Sequence, residues 1–152
     1  MTNTPNIRRA GSKDIPIITG YNRALAKETE NRLLDEATVS AGVSFFLSHP
    51  SYGFYIIAEI DGYPAAQTMI TYEWSDWRNG VIWWIQSVYV APEYRRRGLY
   101  RRLYEWVKTA AQEDGNVREI RLYVDQHNRT AQRTYQALGM TRSHYLLYEA
   151  EI

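Results

Sequence analysis

The chain has 152 residues, 45% of them hydrophobic, which is enough for one domain with a core of its own and too few for two. Against 18 Lys and Arg stand 17 Asp and Glu, a formal net charge of +1 that argues against a polyanion-binding surface spread over the whole molecule. The absence of cysteine excludes disulfides, thiolate metal sites and a covalent thiol mechanism.

The amino-terminal MTNTPNIRRAG lacks the apolar stretch of a signal peptide, and no run reaches the length of a membrane span. A cytoplasmic location is the default expectation, with one domain over residues 5–152. Residues 7–10 read as a short strand, with Gly11-Ser12 as turn and cap. Ile15, Ile18, Tyr21, Ala24 and Leu25 keep helical spacing, and Pro16 is tolerated because it falls in the first turn. A polar stretch over residues 27–32 leads to a second helical pattern, Val39, Val43, Phe46 and Leu47, which His49-Pro50-Ser51 breaks.

Residues 54–60 and 63–72 are strand-like and joined by Asp61-Gly62, the composition of a two-residue primed turn. Residues 81–90 form the next strand. If Asn79-Gly80 is again a two-residue turn, Glu73 faces Gln86 and Ser75 faces Trp84 on one side of the sheet, whereas a longer loop over residues 76–80 shifts that register. Pro92 ends the strand. Beyond it Leu99, Leu103, Trp106, Val107 and Ala110 form the apolar stripe of a helix that closes at Asp114-Gly115. Ile120, Leu122 and Val124 alternate as a strand, and Asn128 is positioned to cap a short helix over residues 130–138 that stops at Gly139. Residues 143–148 are predicted as a last strand.

One feature of this order is out of balance. Arg95, Arg96, Arg97, Arg101 and Arg102 crowd the start of the helix that follows Pro92, where the macrodipole disfavours each cation by ~0.3 to 1 kcal/mol. An anion would restore the balance. The N–H groups of a helix start bind phosphate readily, and Gly98 puts no side chain in the way. The turn is neither a Walker loop nor G-x-G-x-x-G. A solvated basic face or nucleic-acid patch is the competing reading, but the near-neutral whole chain opposes it.

The run Val90-Ala91-Pro92-Glu93-Tyr94-Arg95-Arg96-Arg97-Gly98 resembles the acyl-CoA signature of the GNAT N-acetyltransferase superfamily, V-x-P-x-x-R-x-x-G-x-G/A. A second resemblance follows in the expected order, Asn128-x-x-Ala131-x-x-x-Tyr135-x-x-x-Gly139-Met140. The resemblance implies an α/β (α+β) fold, a mixed, mostly antiparallel sheet of six to seven strands flanked by about four helices. It implies acetyl-CoA as co-substrate and no metal; His49, His127 and His144 show no ligand spacing of their own. By the same resemblance, the backbone of Arg95, Arg96, Arg97, Gly98, Leu99 and Tyr100 wraps the pyrophosphate. The strand end Val88, Tyr89 and Val90 holds the pantetheine arm, and Asn128 and Tyr135 complete the cofactor site. Tyr100 departs from the pattern, standing where a small residue is usual, so its phenol either crowds the pyrophosphate or donates to it.

With no cysteine to carry the acetyl group, the implied reaction is direct attack of a primary amine on the thioester in a ternary complex. The amine belongs to a small molecule, an amino acid or a peptide. The resemblance points the Val88 N–H at the thioester carbonyl and gives Tyr135 the protonation of the departing thiolate, against a role in packing alone. Family members often carry a carboxylate where this chain has Gln86 or Trp84, neither of which accepts a proton. Glu73, placed opposite Gln86, is the expected base, directly or through water, against an ordinary strand-end acid. Glu28, and beside it Glu30, either binds the acceptor ammonium or is solvated. Trp74, Trp77, Trp83 and Trp84 suggest an aromatic wall from which the alternation of sheet faces removes some members. An acyl-CoA-binding domain without turnover is the alternative function. No nucleic-acid or membrane partner is implied, and a homodimer is common in the family.

Overall fold

The computed structural model describes residues 4–152. Its strands are β1 (Asn6–Arg9), β2 (Gly53–Ile60), β3 (Tyr63–Ser75), β4 (Gly80–Val90) and β5 (Val117–Leu122), and its helices are α1 (Ile15–Glu30), α2 (Glu36–Ser48), α3 (Leu99–Asp114) and α4 (Arg129–Ala137). One five-stranded sheet has the order β1-β2-β3-β4-β5. The first three pairings are antiparallel and β4–β5 is parallel, with α3 as the crossover between those two strands. Among the described residues, no helix is long and apolar enough to cross a membrane.

The sheet is covered on both faces, which is why β2 reads as a continuous apolar run with no alternation. Phe54, Ile56 and Ala58 face α3 and pack with Ile70, Trp83, Ile85, Leu103 and Val107. Tyr55 and Ile57 point the other way and pack with Ile18 of α1 and Val43 and Phe46 of α2. Gly53 starts β2 at φ +149°, where a Cβ would lie 1.8 Å from the Ile70 carbonyl oxygen, so only glycine fits this close approach. The Asp61-Gly62 turn has both residues at positive φ, 53° and 82°, as a primed hairpin turn requires.

Two expectations are corrected. The β3–β4 connection takes the longer of the two forms that the sequence left open, with Ser75 paired to Gly80 and residues 76–79 as the loop, so the expected facing of Glu73 and Gln86 is corrected. Glu73 therefore faces Ile82, Trp84 faces Thr71, and Gln86 faces Met69. The loop is tethered from outside: the Arg118 guanidinium donates to the carbonyls of Arg78 (3.2 Å) and Asn79 (3.1 Å), and Arg78 donates to Glu119 (3.0 Å). These long-range bonds to β5 hold a longer loop than local turn chemistry suggests. The second correction concerns the sheet, which among the described residues has five strands and not six to seven. The sheet ends at β5, and residues 143–148 carry no strand pairing and expose Tyr145, Leu146, Leu147 and Tyr148.

Candidate active site

The centre of the site is a break in β4. Pairing with β3 passes from Met69↔Gln86 to Gln67↔Tyr89, so Thr68 alone stands opposite both Ser87 and Val88. This is a β-bulge, with Ser87 in the left-handed region at φ 50°. Two fully buried polar side chains hold it open: Gln67 Nε2 donates to the Ser87 carbonyl at 3.1 Å, and Thr68 Oγ1 donates to the Gln86 carbonyl at 3.1 Å. Neither residue stands out in the sequence, where both read as ordinary strand positions. Pairing of β4 with β5 stops at Ile85↔Leu122, while β4 runs on to Val90. Val88, Tyr89 and Val90 therefore border a gap between two parallel strands that have splayed apart.

At the end of this gap, residues 95–98 lead into α3. Arg96 at φ 63° and Gly98 at φ 75° bend successive backbone N–H groups inward as an anion nest does. Gly98 is the N-cap of α3; no side chain caps that terminus, and no acid lies in the first turn. A Cβ at Gly98 would meet nothing within 4 Å, so the space over the turn is open. Among the described residues Arg96, Arg97 and Arg102 have no ion pair, although Arg97 lies over the Tyr94 ring at 5.6 Å. Uncapped donors, an open turn and uncompensated guanidinium groups fit a diphosphate.

The turn residues do not all contribute in the same way. Arg95 is turned away from the nest: its Nε donates to the Val90 carbonyl at 2.9 Å and its other end reaches Glu28 at 2.7 Å. Leu99 is buried in the core, so only its backbone faces the turn. Tyr100 turns its ring toward α4 and meets Tyr135 edge to face, with centroids 5.5 Å apart. No well-formed hydrogen bond joins the two hydroxyls, yet each acts on the other's proton. Burial first, and then Tyr135, pushes the Tyr100 phenol far above its ordinary value. Burial also raises Tyr135, with Tyr100 opposing part of that rise. Asn128 spends its side-chain oxygen on capping α4, accepting from the Ala131 N–H at 3.1 Å.

On the other side of the bulge lies a cavity of about 420 Å³ between α1, α2 and the sheet. Leu25, Leu34, Val39, Val43, Phe46 and Met69 make its walls. Its polar floor was not legible from spacing. Asn22 Nδ2 donates to the Tyr55 hydroxyl at 3.1 Å, Asn22 Oδ1 accepts from Gln67 Nε2 at 2.8 Å, and Ser87 reaches the same cavity from the bulge. Burial raises the Tyr55 phenol, and Asn22 and Ser87 partly offset the rise.

The acceptor-side residues expected from sequence scatter more widely. Glu28 accepts from the Tyr89 hydroxyl (3.3 Å) as well as from Arg95, so its charge is already met. Gln86 donates to the Thr71 hydroxyl at 2.6 Å. Glu73 shares the sheet face of Trp84 and Gln86 but sits four β4 positions away from Gln86, roughly 13 Å along the strand. Its carboxylate lies 3.5 Å from Arg121. Of the four tryptophans, Trp83 belongs to the core, Trp74 and Trp77 point into solvent, and Trp84 stacks on Tyr123 with centroids 4.5 Å apart.

Residues 20–140 match the family model described as Acetyltransferase (GNAT) family. The chain belongs to the GNAT acetyltransferase family. It is an acyltransferase, and GNAT enzymes use acetyl-CoA. A crystal structure of a possible acetyltransferase from Clostridium difficile 630 is 42% identical and superposes with a TM-score of 0.92 over 97% of each chain. A predicted acetyltransferase with acetyl-CoA from Clostridium acetobutylicum shares the GNAT fold at 21% identity, with a TM-score of 0.79 over 97% of this chain and 96% of that one. Glucosamine-6-phosphate N-acetyltransferase from Arabidopsis thaliana shares it at 17% identity, with a TM-score of 0.73 over 97% of this chain and 98% of its own. Comparison with curated proteins gave no significant match.

Proposed function

We propose that this GNAT enzyme moves the acetyl group of acetyl-CoA to the primary amine of a small molecule, amino acid or peptide whose body is largely apolar, by direct attack in a ternary complex. One observation carries the reading. The β4 bulge at Ser87 and Val88 lies between an uncapped, arginine-rich helix start on one side and a cavity with apolar walls on the other. A carrier bound by its diphosphate at residues 95–100 and by its arm along Val88–Val90 would present its acyl end at the bulge. An amine in the cavity would meet it there.

Each group then has one task. The Val88 N–H stabilises the charge that develops on the thioester oxygen. The amine nitrogen bonds to the carbonyl carbon as the carbon–sulfur bond breaks. Tyr135, kept protonated by burial, donates its proton to the departing sulfur and recovers one from solvent. The amine's proton leaves through water along the row formed by Gln86 and Thr71 toward Glu73. Strand register rules out direct facing of Glu73 and Gln86, so the water-borne route is the form of the Glu73 assignment that we retain.

The test is the release of free CoA across a panel of primary amines of equal charge. Each further methylene buried against Leu25, Val43, Phe46 and Met69 contributes about 0.8 kcal/mol, so kcat/KM should rise ~10-fold or more over two of them. A rate indifferent to the body, or highest for polyhydroxylated amines, would count against the cavity as acceptor site. No release with any amine would overturn the proposal.

A further inference from the structure

Tyr100 is the residue that breaks the signature of the diphosphate turn, and its side chain is not spent on that turn. It is the second residue of α3, so its backbone belongs to the uncapped helix start. Its ring leaves that start for α4, where it meets Tyr135 edge to face, and the space over Gly98 stays open. The hydroxyl at the end of the ring is buried and has no hydrogen-bond partner of good geometry among the described residues. A buried donor without a partner is costly and rarely left so in a native fold. Nothing in the free protein accounts for this one.

The neighbourhood of the hydroxyl offers one group whose need for a donor changes during the reaction. Tyr135 is near enough for the two phenols to act on each other's protons. Tyr104, one turn along α3, is the other titratable group that acts on Tyr100, while Tyr135 answers to burial and to Tyr100. While Tyr135 keeps its proton, both hydroxyls are neutral and gain little from each other. Once that proton has gone to sulfur, the Tyr135 oxygen is an anion in a site with little water. A hydrogen bond to such an oxygen is roughly twice as strong as one between neutral groups.

We propose that Tyr100 is a positioning residue for the protonation of the departing thiolate, its hydroxyl donating to the Tyr135 oxygen as that oxygen gives up its proton. This rests on Tyr135 being the acid. The O–H bond of Tyr135 breaks and an S–H bond forms, the proton of Tyr100 stays on Tyr100, and Tyr135 then recovers a proton from solvent. The contact is strong only once charge has developed, so it favours the transition state over the resting complex and acts on kcat.

Tyr100→Phe tests this, because it keeps the ring and removes only the oxygen. Since that oxygen has no partner in the free protein, the variant should melt at or above the wild-type temperature. With an amine that releases CoA from the wild type, kcat should fall ~10-fold or more while KM for acetyl-CoA is unchanged. In a Tyr135→Phe background the same substitution should have no further effect, since the oxygen it serves is gone. A melting temperature several degrees lower would show the hydroxyl already committed to the fold and would overturn the proposal. So would a raised KM at unchanged kcat, which assigns the hydroxyl to the diphosphate, or an equal loss with and without the Tyr135 hydroxyl. A slow Tyr135→Phe beside a fully active Tyr100→Phe removes the role of Tyr100 alone, whereas a fully active Tyr135→Phe removes the acid and the role of Tyr100 with it.

Discussion

A phenol in a pocket of low dielectric keeps its proton, and Tyr100 and Tyr135 are two such phenols held against each other. The consequence falls on Tyr135, whose proton remains available through the pH range in which an amine becomes a free base. Tyr135→Phe should lower kcat by ~100-fold or more while KM for acetyl-CoA changes little, because the ring stays and only the proton goes. Loss of affinity without loss of kcat would reduce Tyr135 to a packing residue. In the same assay, Glu73→Gln should shift the limb of the pH–rate profile that reports the base. An unchanged limb and rate would remove Glu73 from the mechanism. Tyr135 was legible in the sequence through its motif, but the partnership with Tyr100 was not, since 35 positions separate them and only the packing of α4 against the start of α3 brings the rings together.

At the scale of elements, the site is made by two interruptions of regular structure, the bulge in β4 and the uncapped start of α3. Acetyl-CoA at a hundred times its dissociation constant should stabilise the fold by about 2.7 kcal/mol and raise Tm by roughly 5 to 10 °C. Gly98→Val has room for its Cβ but must hold a β-branched residue at φ 75° over the exposed donors. The variant should lose most of that thermal shift while keeping its circular dichroism spectrum, and a full shift in the variant would move the diphosphate away from this turn. The arginines and Gly98 announced the turn in the sequence. The bulge gave no such notice, because Ser87 is an ordinary residue in a left-handed conformation and its supports, Gln67 and Thr68, come from the neighbouring strand.

Across the whole molecule, the turn that leads from β1 into α1 is tied to the sheet by Arg8, which forks onto Asp14 at 2.8 Å through both ends and reaches Glu59. Arg8 holds Asp14 and Glu59 below the usual carboxylate range. A depressed folded pKa means that this stabilisation is complete above the unfolded value of ~3.9 to 4.3 and is lost as pH falls through the folded one. Denaturant midpoints should therefore drop in the wild type below about pH 4. Asp14→Asn, which leaves Arg8 with one partner fewer, should be ~3 kcal/mol less stable at pH 7 and show a shallower acid loss. Equal acid slopes in the two proteins would show that the cluster does not set acid stability. The sequence by itself determined the helices, the Asp61-Gly62 hairpin, the phosphate-ready turn and the acetyltransferase signatures, because each rests on contacts among residues a few positions apart. Only the tertiary structure decided the β3–β4 register, the bulge, the cavity between α1, α2 and the sheet, the pairing of Arg95 with Glu28 and the exposure of residues 143–148. Each of these depends on which distant segment supplies the hydrogen-bond partner, and local periodicity carries no record of that choice.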